Sequence, residues 1–126
     1  MLIDSNIIIY AAMPEHQMLR DFIAEHAPAV SAVSYVEVLG YHGLTEPARQ
    51  FFEEFFAAAR MLPISSEVLD QAVRLRQLRR MTLGDALIAG TALANHLMLV
   101  TRNTDDFDWI ENLRLLNPFA SEDNVP

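Results

Sequence analysis

The chain has 126 residues, 52% hydrophobic and 21% charged, a balance that fits one globular domain and excludes a disordered chain. It contains no cysteine, which excludes disulfides, thiolate metal sites and a cysteine nucleophile. The net charge of -8 argues against a nucleic-acid partner, but all nine cationic side chains are arginines, whose planar fork fits phosphate well. Genomic base composition explains the lack of lysine equally well, so charge leaves this question open.

The first half of the chain predicts strands alternating with helices. Residues 1–3 predict a buried strand that turns at residues 4–6, and residues 7–10 begin a second apolar element. Pro14 marks the entry of a helix to about residue 26. A second strand is predicted over residues 29–33, helices over 35–41 and 46–60, and a short strand over 61–64.

The second half continues the alternation. Ser66 predicts the cap of a helix to about residue 80, followed by a helix of small residues over 85–96 and strands over 98–101 and 114–117. This order predicts an α/β fold, a three-layer α/β/α sandwich with a central, mostly parallel sheet. We expect residues 1–126 to form a single domain whose tail, residues 118–126, is frayed.

Neither an export signal nor a membrane span is visible in the sequence. The chain opens without a basic segment ahead of an apolar one, and its apolar stretches fall short of the roughly 20 residues that a bilayer requires. We therefore expect a cytoplasmic protein with no membrane contact.

Acidic side chains follow several of the predicted strands. Asp4 comes directly after the first strand, Glu37 one turn after the second, and Asp106 shortly after a late strand, whereas Asp85 begins a helix. Ligands of open α/β sheets bind beyond the carboxyl ends of the strands, so all four acids are expected at one edge. Carboxylate oxygens suit a hard cation such as Mg2+ or Mn2+.

Taken singly, each acid also has a structural explanation. Asp4 fits a helix cap or an Asx turn with Asn6, and the spacings Ser34-x-x-Glu37 and Thr82-x-x-Asp85 fit capping boxes. The conjunction of acids at one edge is what favours a site.

Two other patterns have competing interpretations. The four arginines between residues 74 and 80 form either a solvated helix face or a substrate contact, and the paired phenylalanines at 51–52 and 55–56 form either core or a protein-binding surface. The four histidines lack the spacing of a zinc site.

The order and spacing of the acidic segments resemble the PIN-domain ribonucleases, specifically the VapC-like toxins of type II toxin-antitoxin modules. The likeness runs from Asp4 and Asn6, through Glu37 with the following valine, to the segments Asp85-Ala-Leu-Ile-Ala and Val-Thr101-Arg-Asn103-Thr-Asp-Asp106-Phe. Some members have aspartate where this chain has Asn103, and the lost charge puts a second metal ion in question.

The resemblance implies a Mg2+- or Mn2+-dependent endoribonuclease. The residues expected to act in catalysis are Asp4, Glu37, Asp85 and Asp106, and those expected to bind the metal ion are Asp4, Asp85 and Glu37. The groups expected to orient carboxylates or waters are Asn6, Thr101 and Asn103. The expected contacts for substrate phosphates are Arg79, Arg80 and Arg102. It also implies an RNA substrate, a cognate antitoxin protein and a homodimer.

Two alternatives to the nuclease were weighed. A catalytically weak PIN-like module that binds RNA or protein is favoured by Asn103 and by the acidic charge. An aspartyl-phosphate phosphatase is rejected, because it needs a second aspartate where this chain has Asn6, and a lysine, which the chain lacks.

Overall fold

The computed structural model of the chain describes residues 1–120, and its centre has five short parallel strands, in a three-stranded and a two-stranded sheet joined by one bridge. β1 (Leu2–Ile3) pairs with β4 (Leu99–Val100), which in turn pairs with β5 (Leu115–Leu116). β2 (Val30–Ser31) pairs with β3 (Met61–Leu62), and a parallel bridge from the residue before β2 joins this pair to β1. The order β3-β2-β1-β4-β5 confirms the predicted parallel sheet.

Six α-helices connect the strands of the described chain. They are α1 (Ser5–Ala11), α2 (Gln17–His26), α3 (Ala32–Leu39), α4 (Glu46–Ala58), α5 (Ser66–Leu78) and α6 (Leu83–Ala94), with a 3-10 turn at Thr104–Asp106. The second apolar element predicted after the first strand is helix α1. No helix within residues 1–120 is long and apolar enough to cross a membrane.

The sheet separates two hydrophobic cores, because successive side chains of a strand point to opposite faces. Ile3 and Val100 belong to one core, and their neighbours Leu2 and Leu99 belong to the other. The first core also takes side chains from α1 to α4, among them Ile7, Leu19, Val38, Phe52 and Phe56. The second takes Leu75 from α5 and Ile88 and Ala89 from α6. This arrangement confirms the predicted three-layer α/β/α sandwich.

The small residues of α6 allow this helix to lie close to α5, as predicted. A Cβ atom added to Gly90 would come within 2.9 Å of the Val68 carbonyl oxygen and 3.5 Å of the Ala72 Cβ. A larger residue at position 90 would therefore push α5 and α6 apart.

Two predicted helix caps are wrong by one to three residues. Ser31 caps α3, since its Oγ accepts a hydrogen bond from the Val33 backbone at 3.2 Å, so the predicted capping box at Ser34 does not form. Ser65, and not Ser66, caps α5 by accepting from the Val68 backbone at 3.2 Å. Serines recur close to each helix start, and local pattern alone does not choose between them.

The first residues of the predicted frayed tail belong to the folded domain. Phe119 is fully buried in the first core, where its ring packs edge-on against Tyr10 and His16 at centroid distances of 5.6 and 5.2 Å. Its backbone N–H donates to Asn117 Oδ1 at 2.8 Å. The prediction of a frayed tail is therefore wrong at Phe119, and residues 121–126 of the predicted tail lie outside the described residues.

The paired phenylalanines of α4 contribute mainly to the core. Phe52 and Phe56 are buried, and Phe51 and Phe55 pack against the same core while keeping part of their surface exposed. This confirms the core interpretation for the two buried rings.

Candidate active site

Asp4 lies at the carboxyl end of β1, where the chain enters α1. Its backbone N–H donates to the Val100 carbonyl at 2.9 Å, which fixes the residue beside the end of β4. The carboxylate is buried, and Oδ2 accepts a hydrogen bond from the Thr101 hydroxyl at 2.9 Å. Although Asp4 is the N-cap residue of α1, its side chain makes no capping hydrogen bond. The capping explanation therefore fails for this carboxylate.

Glu37 reaches the same edge from α3 and is held there by a serine pair. Ser5 Oγ donates to Glu37 Oε1 at 2.8 Å and shares a second hydrogen bond of 2.8 Å with Ser34 Oγ. Both serines are buried, whereas Glu37 itself is exposed. Because Ser5 follows Asp4 directly, this contact brings the Glu37 carboxylate next to the Asp4 segment.

Asp85 stands in the first turn of α6, and Thr82 caps this helix by accepting from the Asp85 backbone N–H at 3.1 Å. The predicted helix cap at Thr82 is thus confirmed, and its hydrogen bond comes from the backbone N–H of Asp85. Gly84 leaves room for Glu37, since a Cβ atom added to Gly84 would lie 2.6 Å from Glu37 Oε2. The N-terminus of α6 and the Glu37 carboxylate therefore touch.

The electrostatics of the cluster show that the four carboxylates act on one another. The pKa of Asp4 is raised to about 6, chiefly by burial; hydrogen bonds from the Thr101 hydroxyl and the Ser5 backbone lower it, and the charges of Asp85 and Glu37 contribute to the rise. Burial also raises the pKa of Asp85, the Thr82 side chain opposes that rise, and the charges of Asp106 and Glu37 add to it. One region of negative charge thus joins all four predicted acids.

The residues predicted to orient the carboxylates or waters are only partly brought together at the site. Thr101 contacts Asp4 directly and also accepts a hydrogen bond from the Asn103 backbone N–H at 3.1 Å. Asn103 therefore acts through its backbone at the start of the 3-10 turn. Asn6 is exposed on the first turn of α1, away from the hydrogen bonds that hold the carboxylates.

The three predicted phosphate contacts have different surroundings. The Arg79 guanidinium lies over the Trp109 ring at 5.3 Å, and Arg80 is exposed in the connection from α5 to α6, a few residues before Asp85. The Arg102 guanidinium stacks on Phe119 at 4.1 Å and faces Tyr10 at 5.4 Å. Arg102 is thus tied to the C-terminal segment.

The donor set suits Mg2+, although the carboxylates do not form a closed cage. No group of three or more His, Asp or Glu side chains within residues 1–120 has an arrangement that holds a metal ion by itself. Mg2+ usually keeps several waters and binds proteins through one or two carboxylates, so an open cluster of carboxylates is chemically compatible with it. Four mutually repelling carboxylates also fit a site whose charge a cation balances.

Sequence reasoning missed Ser5 and Ser34. Ser34 was assigned to a capping box with Glu37, and Ser5 to a turn, whereas the two hydroxyls bond to each other across 29 positions of sequence. The available signal was a serine next to Asp4 and another one helical turn before Glu37.

Comparison with known proteins follows the same segments. A family model described as PIN domain matches residues 1–112, which include every acid of the cluster. The chain belongs to the PIN domain family. The predicted resemblance is therefore confirmed at the level of the family. Among curated proteins, no match to the chain is found.

Solved structures of toxin-antitoxin and VapBC complexes share the fold. A chain of a toxin-antitoxin complex from Klebsiella pneumoniae is 28% identical, with a TM-score of 0.73, over 93% of this chain and 96% of that chain. A chain of VapBC2 from Rickettsia felis bound to a promoter DNA fragment is 23% identical, with a TM-score of 0.80, over 92% and 96%. A chain of DNA-bound VapBC from Salmonella typhimurium is 17% identical, with a TM-score of 0.80, over 93% and 96%.

Proposed function

We propose that this PIN-domain protein is a Mg2+- or Mn2+-dependent endoribonuclease and the cytoplasmic toxin of a toxin-antitoxin pair. The observation that carries the proposal is Asp4, a buried carboxylate whose pKa is raised to about 6 and whose side chain makes no capping contact. A buried charge among like charges costs stability, and perturbed carboxylates of this kind cluster at functional sites. Family membership supports the same conclusion.

In this proposal the carboxylates share the metal site. Asp4 and Asp85 would hold the metal ion, directly or through waters, and Glu37 and Asp106 would complete the shell. A bound divalent ion supplies charge neutralisation and lowers the pKa of a water for attack on the phosphodiester. Thr101 keeps the Asp4 carboxylate oriented through its 2.9 Å hydrogen bond, and the Ser5–Ser34 pair does the same for Glu37.

Arginines near the cluster would contact the RNA backbone. Arg76, Arg79 and Arg80 line a cavity of about 480 Å³ in the connection that leads into α6, and Asp85 lies in the first turn of that helix. An RNA strand passing over this connection places its phosphates beside arginine side chains and its scissile bond toward the carboxylates. Arg102 follows Thr101 directly and is proposed as a further phosphate contact.

An antitoxin partner and a homodimer complete the proposal. The similar structures include complexes described as toxin-antitoxin and VapBC complexes. This chain has an apolar groove of about 550 Å³ between α1, α3 and α4, lined by Ile9, Met13, Tyr41, Leu44 and Phe52 among others. Such a groove suits an amphipathic segment of an antitoxin, and the chain's net charge of -8 favours a basic one.

A module that binds RNA or protein without cutting is the second candidate. The open arrangement of the carboxylates within residues 1–120 favours it, because no three of them form a ready metal site.

Cleavage of total RNA separates the two candidates. Purified wild-type protein is expected to cut RNA with Mg2+ or Mn2+ and to stop cutting in EDTA. Asp4→Asn and Asp85→Asn are expected to lose this activity, whereas Asp70→Asn, an exposed aspartate of α5, retains it. Cleavage by Asp4→Asn at the wild-type rate contradicts the proposal. If the wild-type protein binds RNA but does not cut it, the result supports the binding module.

A further inference from the structure

A cavity at the end of the sheet opposite the carboxylates brings together two arginines and a histidine in this acidic protein. It measures about 400 Å³ and lies between α5, α6 and the segments that precede β4 and β5. Arg74, His96 and Arg114 line it. His96 precedes β4 and Arg114 precedes β5, whereas Thr101 follows β4, so the length of the sheet separates this cavity from the carboxylates.

The two guanidinium groups of this cavity are not neutralised by a carboxylate. The ion pairs within 4.0 Å in residues 1–120 are one in α2 and one in α4, and neither reaches the cavity. Glu111 also lines the cavity but pairs with neither arginine at that distance. Arg74 donates to the neutral Gln71 Oε1 at 2.8 Å, which leaves its charge uncompensated. Both guanidinium groups can therefore bind an anion.

The backbone around the cavity is strained at two side chains that line it. Three non-glycine residues in residues 1–120 have positive φ, and two of them, His96 at 56° and Asn112 at 69°, line this cavity. His96 ends α6 in a turn in which the Leu97 N–H donates to the Ala92 carbonyl at 2.9 Å, a position where glycine is the usual residue. Histidine and asparagine adopt positive φ more readily than most residues, and here both side chains line the cavity.

We propose that this cavity binds a phosphate monoester, in the form of a nucleotide. The two arginine forks and the His96 ring bind the phosphate oxygens, and the side chains of Glu111 and Asn112 accept hydrogen bonds from hydroxyl or amino groups next to it. The volume falls within the range of small-molecule sites. Either a free mononucleotide or the 5′-phosphorylated end of an RNA supplies this chemistry.

Calorimetric titration of the full chain in EDTA tests the proposal without metal or cleavage, so its outcome is independent of the nuclease activity. The probes are AMP, adenosine, and tetra-adenylate with and without a 5′-phosphate. AMP is expected to saturate one site, and adenosine is expected to give no heat. Tighter binding of the 5′-phosphorylated RNA than of AMP identifies an RNA end as the ligand, and equal or weaker binding identifies the free nucleotide.

Three variants locate the binding. Arg114→Gln is expected to weaken AMP binding about tenfold, because it removes a charged bidentate donor. His96→Gly is expected to weaken AMP binding several-fold while the melting temperature stays the same or rises, since glycine suits the positive φ. Arg60→Gln is the control, because Arg60 is exposed and precedes β3 at the other edge of the sheet.

Two results overturn the proposal. They are the absence of saturable AMP binding at millimolar concentration, and equal AMP affinity in wild type and Arg114→Gln.

Discussion

The Asp4→Asn substitution is expected to stabilise the metal-free protein at neutral pH. Asp4 is only 5% exposed, and its pKa is raised from an ordinary 3.8 to about 6, chiefly by burial. At about 1.4 kcal/mol for each tenfold change in proton affinity, this difference corresponds to about 3 kcal/mol of stability lost when the carboxylate ionises. Asparagine keeps an oxygen that can accept from Thr101 and carries no charge.

The sign of the pH dependence follows from the same shift. Between pH 4 and pH 6 the folded protein retains a proton on Asp4 that the unfolded chain has lost, so this residue's contribution to stability falls as the pH rises through that window. Above about pH 7 the carboxyl of the folded protein is ionised as well, and the loss is complete. The difference between Asp4→Asn and wild type is therefore expected to be small at pH 4 and about 3 kcal/mol at pH 7.5.

Urea unfolding in EDTA at several pH values measures this difference, and a gain of roughly 10 °C in melting temperature at pH 7.5 is the corresponding thermal result. Asp70→Asn serves as the control, because Asp70 is exposed on α5. Equal stability of Asp4→Asn and wild type at pH 7.5, or a gain that does not depend on pH, refutes the reasoning about the buried carboxylate.

Two further substitutions test the contacts of the cluster. Gly84→Ala is expected to raise the free energy of unfolding by up to about 1 kcal/mol in thermal unfolding, because alanine has the higher helix propensity. It is also expected to lower RNA cleavage several-fold, because the added Cβ displaces the Glu37 carboxylate. Unchanged cleavage in a steady-state assay argues against that displacement. Thr101→Val removes the hydroxyl donor of Asp4, so it is expected to destabilise the protein by about 2 kcal/mol at pH 8 in urea unfolding and to raise the pKa of Asp4. A pH profile of cleavage that does not move to higher pH contradicts the expected rise of that pKa.

The fold was predictable because its signals are local. Short apolar strands alternating with helical segments specify parallel β-α units, and parallel strands place Asp4 and Asp106 at the same edge. The lengths were less predictable: each strand has only two residues, whereas three to five were expected. Strand length depends on which backbone groups find partners in neighbouring strands, and a single segment does not contain that information.

The contacts inside the cluster depend on residues far apart in sequence. Ser34 and Glu37 have the spacing of a capping box, but the hydroxyl of Ser5, 29 positions away from Ser34, provides the competing partner. Phe119 stands among polar residues and resembles part of a tail, yet its ring fits against Tyr10 and His16. In both cases tertiary packing overrides a local pattern.

Calorimetric titration with Mn2+ tests the central claim most directly, namely that the acids of this sheet edge together bind a divalent cation. The wild-type protein is expected to take up Mn2+ with a saturable heat, Asp4→Asn and Asp85→Asn are expected to bind at least about tenfold more weakly, and Asp70→Asn is expected to match the wild type. Absence of Mn2+ uptake by the wild type, or equal affinity in Asp4→Asn, would contradict the account.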